Sequence, residues 1–194
     1  MQNKNLKVLV ECAILIALAT VLSFIKISFP FGGSITPLSM LPIILISFRY
    51  GISSGLRSGF IYSVIQLIQG ANYIGYIPTP LGVLGIITLD FILPFTLLGL
   101  AAVFYKDTYK GKKLFVSIIA GTFMVLFIRY ACHVVVGSLL WYEASKAVAD
   151  EGDWILTVGP WIYSIGYNIT YMGPEAVTTL AASPIIIKLK DIIK

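Results

Sequence analysis

The chain alternates between long apolar runs and short polar segments. A helix of about 20 apolar residues spans the ~30 Å hydrocarbon core of a bilayer, and nearly all of the runs reach that length. The runs lack the period-two alternation of a membrane β-barrel. The pattern therefore predicts an all-α integral membrane protein with six transmembrane helices, over about 8–25, 38–48, 52–69, 84–104, 114–141 and 160–187.

Prolines mark the irregular parts of these helices. Pro37 and Pro42 lie at or near the start of the short second run, where a missing backbone N–H predicts an irregular beginning. Pro174 and Pro184 predict kinks in the sixth helix. The fifth and sixth runs are long enough to tilt, bend or extend beyond the bilayer.

Basic residues set the expected orientation. With both termini in the cytoplasm, eleven Lys and Arg residues fall inside and two fall outside, as the positive-inside rule requires. The net charge of +5 follows from this topology and needs no nucleic-acid partner. The inner residues are Lys4, Lys7, Arg49, Arg57, Lys106, Lys110, Lys112, Lys113, Lys188, Lys190 and Lys194, and the outer ones are Lys26 and Lys146.

Composition agrees with this interpretation. Hydrophobic residues make up 58% of the 194-residue chain and charged residues only 12%, with a mean hydropathy of +0.91. A soluble domain of this length cannot bury that much apolar surface. No internal repeat interrupts the pattern, so we expect one membrane domain over residues 1–194. Cys12 and Cys132 both fall within predicted spans, which favours two free thiols over a disulfide.

The segment 127–141, FIRYACHVVVGSLLW, carries an arginine and the only histidine of the chain within the fifth run. Arg129 and His133 are four residues apart and share one helix face, which Gly137 and Trp141 continue. At the usual helical rise, His133 lies roughly 12 Å and Arg129 roughly 18 Å from the outer end. A charged side chain at that depth must be satisfied by protein or water, which makes this helix a candidate functional element.

Two polar residues on other helices reach a similar depth. Asp90 lies roughly 9 Å below the outer end of the fourth helix, and Asn168 roughly 12 Å below that of the sixth. We therefore expect them to converge with Arg129 and His133 on one pocket that opens outside. Two interpretations of Asp90 stay open, since it can meet a cationic ligand or form a structural ion pair with Arg129.

Aromatic residues cluster near the outer ends of the fifth and sixth helices, namely Trp141, Trp161, Tyr163 and Tyr167. Each of them alone fits an aromatic belt at the membrane interface. Beside a buried carboxylate, an imidazole and an amide, the set favours recognition of a planar, cationic small molecule.

Enzyme chemistry is not indicated. The sequence has a single histidine, no paired carboxylates within the spans and no base beside a nucleophile, so we expect neither a metal nor a cofactor. It also lacks a P-loop, and six spans without a repeat are few for a self-contained secondary transporter. A binding subunit with a separate motor is the simpler interpretation. Ala13 and Ala17 form a small-residue strip on the first helix, which fits either docking of another subunit or packing within the bundle.

The chain resembles the thiamine-specific substrate-binding (S) components of energy-coupling factor (ECF) transporters. The resemblance covers most of the chain, and two of its motifs are specific: IRYACHVVVG at 128–137 and PWIYSIGYNITYMGP at 160–174. GGSITPLSMLPIILISFRYG at 32–51 and LDF at 89–91 add to it. It implies a prokaryotic cell-membrane protein that captures thiamine outside and docks on a transmembrane coupling subunit with two ATPases.

The resemblance also implies residue roles. Ligand contacts fall on Asp90, Phe91, Arg129, His133, Trp141, Tyr163 and Asn168. Ala13 and Ala17 match the motif that contacts the coupling subunit. Arg129 needs neutralising beside a cationic ligand, and Asp90, Glu175 or a ligand phosphate are its possible partners.

This chain departs from some members of the family at several positions. Those members carry glutamate, tyrosine and lysine in place of Asp90, Phe91 and Arg129, and a tryptophan near Gly33. The sign of each charge is kept, so the expected substrate class is unchanged. Alternatives are the same fold with another vitamin or precursor, such as a pyrimidine moiety, riboflavin or biotin, and a small polytopic membrane enzyme.

Overall fold

The structure, a computed structural model, describes residues 4–28 and 33–190. Lys194 of the basic set and Gly32 of the 32–51 stretch lie outside these residues. Within the described ranges, six helices follow one another in the predicted order: α1 Lys4–Phe24, α2 Leu41–Tyr50, α3 Ile52–Gln69, α4 Pro80–Phe104, α5 Gly111–Lys146 and α6 Pro160–Ala182.

Short elements connect these helices. Between α1 and α2, β1 Ile27–Ser28 pairs antiparallel with β2 Ser34–Ile35, a ribbon that the hydropathy pattern did not predict. Turns of 3₁₀ helix follow α3 at Ala71–Tyr76 and precede α6 at Trp154–Leu156. Beyond α6 come a further 3₁₀ turn, Ser183–Ile185, and a last helical turn, α7 Ile186–Leu189.

Three of the described helices are long and apolar enough by themselves to cross a bilayer: Asn5–Phe24, Pro80–Phe104 and Gly111–Lys146. The other three differ for identifiable reasons. α2 has only 10 residues, while α3 and α6 carry polar side chains among their apolar ones. That α2, α3 and α6 also span the membrane stays a prediction.

The prolines act in different ways. The backbone before α2 is irregular as predicted, with Leu38 at φ 63°, a conformation that L side chains rarely adopt. At Pro184 the α-helix gives way to the 3₁₀ turn. Pro174 lies inside an α-helix that continues on both sides of it. The proline therefore does not end the helical hydrogen bonding there.

α4 and α5 each contain a π-helical segment, in which a backbone N–H bonds to the carbonyl five residues earlier instead of four. In α4 this segment is Ile86–Ile92, and its last bond runs from the Leu93 N–H to the Thr88 carbonyl. Pro94 follows directly and cannot donate to the carbonyl four residues earlier, which disfavours regular α-geometry at this point. In α5 the segment is Gly137–Trp141. Such segments occur frequently at functional sites.

Small residues let the central helices approach closely. A Cβ atom at Gly121 of α5 would overlap the carbonyl oxygen of Ala101 in α4, so only glycine fits at this crossing. The core beside it is apolar and includes Ile44, Leu98 and Ile118, all without exposed surface. Backbone contact of this kind is typical of packed membrane helices, where lipid provides no hydrophobic driving force.

Polar contacts gather several helix ends at one end of the bundle. Arg49 at the end of α2 forms an ion pair with Glu11 of α1 (Nη2–Oε2 2.8 Å) and donates from Nη1 to the Leu189 carbonyl of α7 (2.8 Å). Lys190 donates from Nζ to the hydroxyl of Tyr105, which follows α4 (3.3 Å). The early part of α1 and the end of the described chain therefore lie together, as the predicted topology requires.

Candidate ligand-binding site

A cavity lies towards the other end of the bundle, where α1 and α3 end and α6 begins. It encloses about 1110 Å³ of empty space when the open solvent at its mouth is included. All seven predicted ligand-binding residues line it: Asp90, Phe91, Arg129, His133, Trp141, Tyr163 and Asn168. Asp90, Arg129, His133 and Asn168, which helical depth predicted to converge, therefore lie at one cavity.

Asp90 lies in the π-helical segment of α4 and forms a hydrogen bond with Trp141 in the π-helical segment of α5. Its Oδ1 is 2.9 Å from His133 Nδ1, and its Oδ2 accepts a hydrogen bond from the Trp141 indole N–H at 2.7 Å. The carboxylate and the imidazole are only 13% and 12% exposed. The interpretation in which Asp90 forms an ion pair with Arg129 is therefore wrong.

Arg129 pairs with Glu175 of α6 instead. The distance from Nη1 to Oε2 is 2.5 Å, and Glu175 has no exposed surface. The guanidinium also lies over the Phe95 ring, 5.1 Å from its centroid. Among the three partners predicted for Arg129, the structure selects Glu175, because that carboxylate reaches the arginine from the facing helix.

With a neutral His133, the cavity consequently keeps a negative charge. Arg129 and Glu175 neutralise each other, whereas Asp90 is held by an imidazole and an indole N–H, and of these only a protonated imidazole carries charge. Lys26 also lines the cavity, but it is exposed and its field is screened by water. A buried carboxylate without a full counter-charge favours a cationic ligand.

Several buried polar atoms at the cavity have no hydrogen-bond partner among the described residues: Gln66 Nε2, Gln69 Nε2, Arg129 Nε and His133 Nε2. Leaving a buried donor or acceptor unpaired costs about 1–3 kcal/mol. The two glutamines were missed by the sequence analysis. The available signal was a pair of carboxamides three residues apart at the end of an otherwise apolar run.

Tyrosines one turn apart form an aromatic row on α6. Tyr163 and Tyr167 stack with centroids 5.7 Å apart, and Tyr171 meets Tyr167 edge-on at the same distance. Tyr167 also accepts a hydrogen bond from the Gly33 backbone N–H at 3.1 Å, which ties the segment before β2 to this wall. Trp161 does not line the cavity and is 51% exposed, so the aromatic-belt interpretation applies to it.

Asn168 uses its carboxamide within the protein. Its Oδ1 accepts from the Tyr171 hydroxyl at 2.5 Å, and its Nδ2 donates to the Ser164 carbonyl at 2.8 Å. Nearby, a Cβ atom at Gly137 would overlap the Ser164 hydroxyl, which shows how closely α5 and α6 approach. Direct contact between Asn168 and a ligand stays a prediction.

Ala13 and Ala17 lie away from the cavity, on α1. Both are exposed, and so are Leu9, Ile14 and Val21 on the same helix. Packing of this strip within the described part of the bundle is therefore excluded. Cys12 and Cys132 are free thiols, as predicted.

The family model described as "Thiamine transporter protein (Thia_YuaJ)" matches residues 9–193. The chain belongs to this thiamine transporter family. Thiamine transporter ThiT of Bacillus subtilis (strain 168) is similar to it, at 34% identity over 183 residues, covering 90% of this chain and 86% of the relative. ThiT of Lacticaseibacillus paracasei is 29% identical over 177 residues, covering 86% and 80%.

A solved structure shares the fold. ThiT from Listeria monocytogenes superposes with a TM-score of 0.68 and 28% identity, covering 96% of this chain and 94% of that one. Together these matches confirm the resemblance to thiamine-specific S components and the all-helical membrane fold. As a member of the thiamine transporter family, the protein is a transporter component and not an enzyme.

Proposed function

We propose that the protein is the high-affinity thiamine-binding S component of an ECF-type vitamin uptake transporter. It is a single-domain, multi-pass protein of the bacterial cell membrane, with both termini in the cytoplasm. It captures thiamine from outside, and it docks on a shared transmembrane coupling subunit that carries two ATPases. Membership of the thiamine transporter family supports the substrate.

The observation that carries this proposal is the carboxylate of Asp90 in the cavity, which forms no ion pair with a described Lys or Arg side chain. Thiamine has a permanently cationic thiazolium ring, which Asp90 attracts. Its aminopyrimidine offers donors and acceptors to the imidazole of His133 and to Gln66 and Gln69, whose amide nitrogens lack partners among the described residues. The flat faces of both rings match the aromatic walls of the cavity.

The ligand-binding residues divide into two groups. Asp90, Phe91, His133, Trp141 and Tyr163 contact the ligand through charge, hydrogen bonds or ring faces. Arg129 and Asn168 line the same cavity, yet their polar groups are engaged by Glu175, Tyr171 and Ser164. They hold α5 and α6 in place and contact the ligand from the cavity wall.

Docking uses the exposed face of α1. In the most apolar 18-residue stretch of this helix, only 17% is buried within the described bundle. Most of the helix surface is therefore available to a partner. Ala13 and Ala17 leave room there for the close approach of another helix. The sequence has no P-loop of its own, which is why ATPase partners are needed for uptake.

Titration of the purified, detergent-solubilised protein with thiamine is expected to give a saturable change in tryptophan fluorescence. Trp141 lines the cavity, and Trp154 packs on Tyr163 with centroids 5.0 Å apart. Riboflavin, biotin and an isolated aminopyrimidine serve as competing ligands. Failure of thiamine to bind, or tighter binding of one of the others, would contradict the proposed substrate.

Replacing Trp141 by phenylalanine is expected to weaken thiamine binding by about 0.5–1.5 kcal/mol, the net value of a typical hydrogen bond. Phenylalanine keeps a flat ring but removes the indole N–H that orients Asp90. Calorimetry measures the change. Trp161→Phe is the matched control, because Trp161 lies outside the cavity lining. Equal affinities of the two variants would remove Trp141 from the site.

A further inference from the structure

Glu175 is a buried carboxylate that the proposed ligand contacts do not use. It has no exposed surface and does not line the cavity. One of its oxygens pairs with Arg129 Nη1 at 2.5 Å. The other accepts from the backbone N–H and the hydroxyl of Thr36, at 3.2 and 2.5 Å. It therefore links α5, α6 and the segment that leads into α2.

Arg129 lies between Glu175 and the ligand cavity. Its side chain is 7% exposed and lines the cavity, while its Nε has no hydrogen-bond partner among the described residues. Without Glu175, this guanidinium would present a full positive charge to any ligand. With Glu175 in place, the field of the arginine at the cavity is largely cancelled, since the opposite charge is in direct contact with it.

The charge of the cavity interior thus depends on Glu175. The buried charged groups described around it are two carboxylates, Asp90 and Glu175, and one guanidinium, Arg129, with His133 bonded to Asp90. Lys26 is exposed at the cavity and counts for less. With a neutral His133, the interior carries one net negative charge while Glu175 is ionised, and none if Glu175 is replaced by a neutral residue.

We propose that Glu175 is a specificity-determining residue. By neutralising Arg129 from the side that faces away from the cavity, it makes the cavity select a cationic ligand over one that also carries an anionic group. The proposal deepens the proposed function and rests on it. It predicts that the preference between thiamine and thiamine monophosphate, which differ by a phosphate group, is set by a residue that touches neither ligand. Specificity of this kind is a difference between two binding free energies.

The test compares the dissociation constants of thiamine and thiamine monophosphate for the purified full-length protein. In Glu175→Gln, the exposed charge of Arg129 repels the thiazolium and attracts the phosphate. The ratio of the two dissociation constants is expected to shift by at least about tenfold towards the phosphate ester, equivalent to 1.4 kcal/mol. An equal loss of affinity for both ligands would indicate a purely structural role and would overturn the proposal.

Two further variants separate charge from architecture. Glu175→Asp keeps the charge and should leave the ratio unchanged. Arg129→Met/Glu175→Gln removes both charges of the pair and should restore the wild-type preference. If Glu175→Gln does not fold, a tenfold change of the ratio in Glu175→Asp still overturns the proposal. A wild-type protein that binds neither compound would instead refute the proposed function.

Discussion

Asp90→Asn is expected to weaken thiamine binding by about 1.5–3 kcal/mol, the range for a hydrogen bond to a charged group. This loss corresponds to a roughly 10- to 150-fold higher dissociation constant. Asparagine has nearly the same shape and can still accept from the Trp141 indole N–H, so the loss reflects the charge more than the packing. Calorimetry with the purified protein measures it.

Two comparisons make the Asp90 result specific. Glu143→Gln removes an acidic group that is exposed outside the cavity, and it should leave thiamine affinity unchanged. A thiamine analogue with a neutral ring in place of the thiazolium should lose little affinity in Asp90→Asn, because it has no charge to offset. Unchanged thiamine affinity in Asp90→Asn would remove this carboxylate from the site. An equal loss for the neutral analogue would show that the carboxylate acts through structure.

Leucine at positions 13 and 17 is expected to abolish thiamine uptake by cells that contain the complete transporter. Both alanines are exposed on α1, so the larger side chains fit the isolated protein but block close approach of another helix. Thiamine binding by the purified Ala13→Leu/Ala17→Leu variant should stay within about twofold of wild type, because surface substitutions rarely change stability by more than about 0.5 kcal/mol.

Ala147→Leu is the matched control for the docking strip. It makes the same substitution at an exposed alanine just after α5, far along the chain from α1. Uptake by this variant should be normal. Normal uptake by Ala13→Leu/Ala17→Leu would show that the strip does not contact the coupling subunit. A loss of thiamine binding in that variant would show that α1 stabilises the cavity. The loss of uptake would then no longer be evidence for docking through the strip.

The convergence of the site residues could be predicted because helical depth depends on local geometry. Counting residues from the helix ends placed Asp90, Arg129, His133 and Asn168 in the outer half of the membrane, and the structure brings all four to one cavity. The partner of Arg129 could not be decided in the same way. Asp90 and Glu175 were both chemically suitable, and the choice depends on how α4 and α6 are rotated about their axes, which a hydropathy pattern does not specify.

Other features were beyond reach for related reasons. Asp90 and Trp141 lie in π-helical segments, which rotate the following side chains about the helix axis by a fraction of a turn. A sequence pattern based on 3.6 residues per turn does not reveal this rotation. Gln66 and Gln69 gained importance only when their amide nitrogens proved to lack partners among the described residues. A glutamine in a sequence does not indicate whether its hydrogen bonds are satisfied.

The sequence by itself determined the helical membrane class, the family and the residue types that line the cavity, because apolar run length and motif chemistry are local properties. Only the tertiary structure decided that Arg129 is neutralised by Glu175, whereas Asp90 bonds to His133 and Trp141. It also decided that the Ala13 and Ala17 strip faces outwards. Both outcomes follow from the rotation and close packing of whole helices, which are set by contacts between residues far apart in the chain.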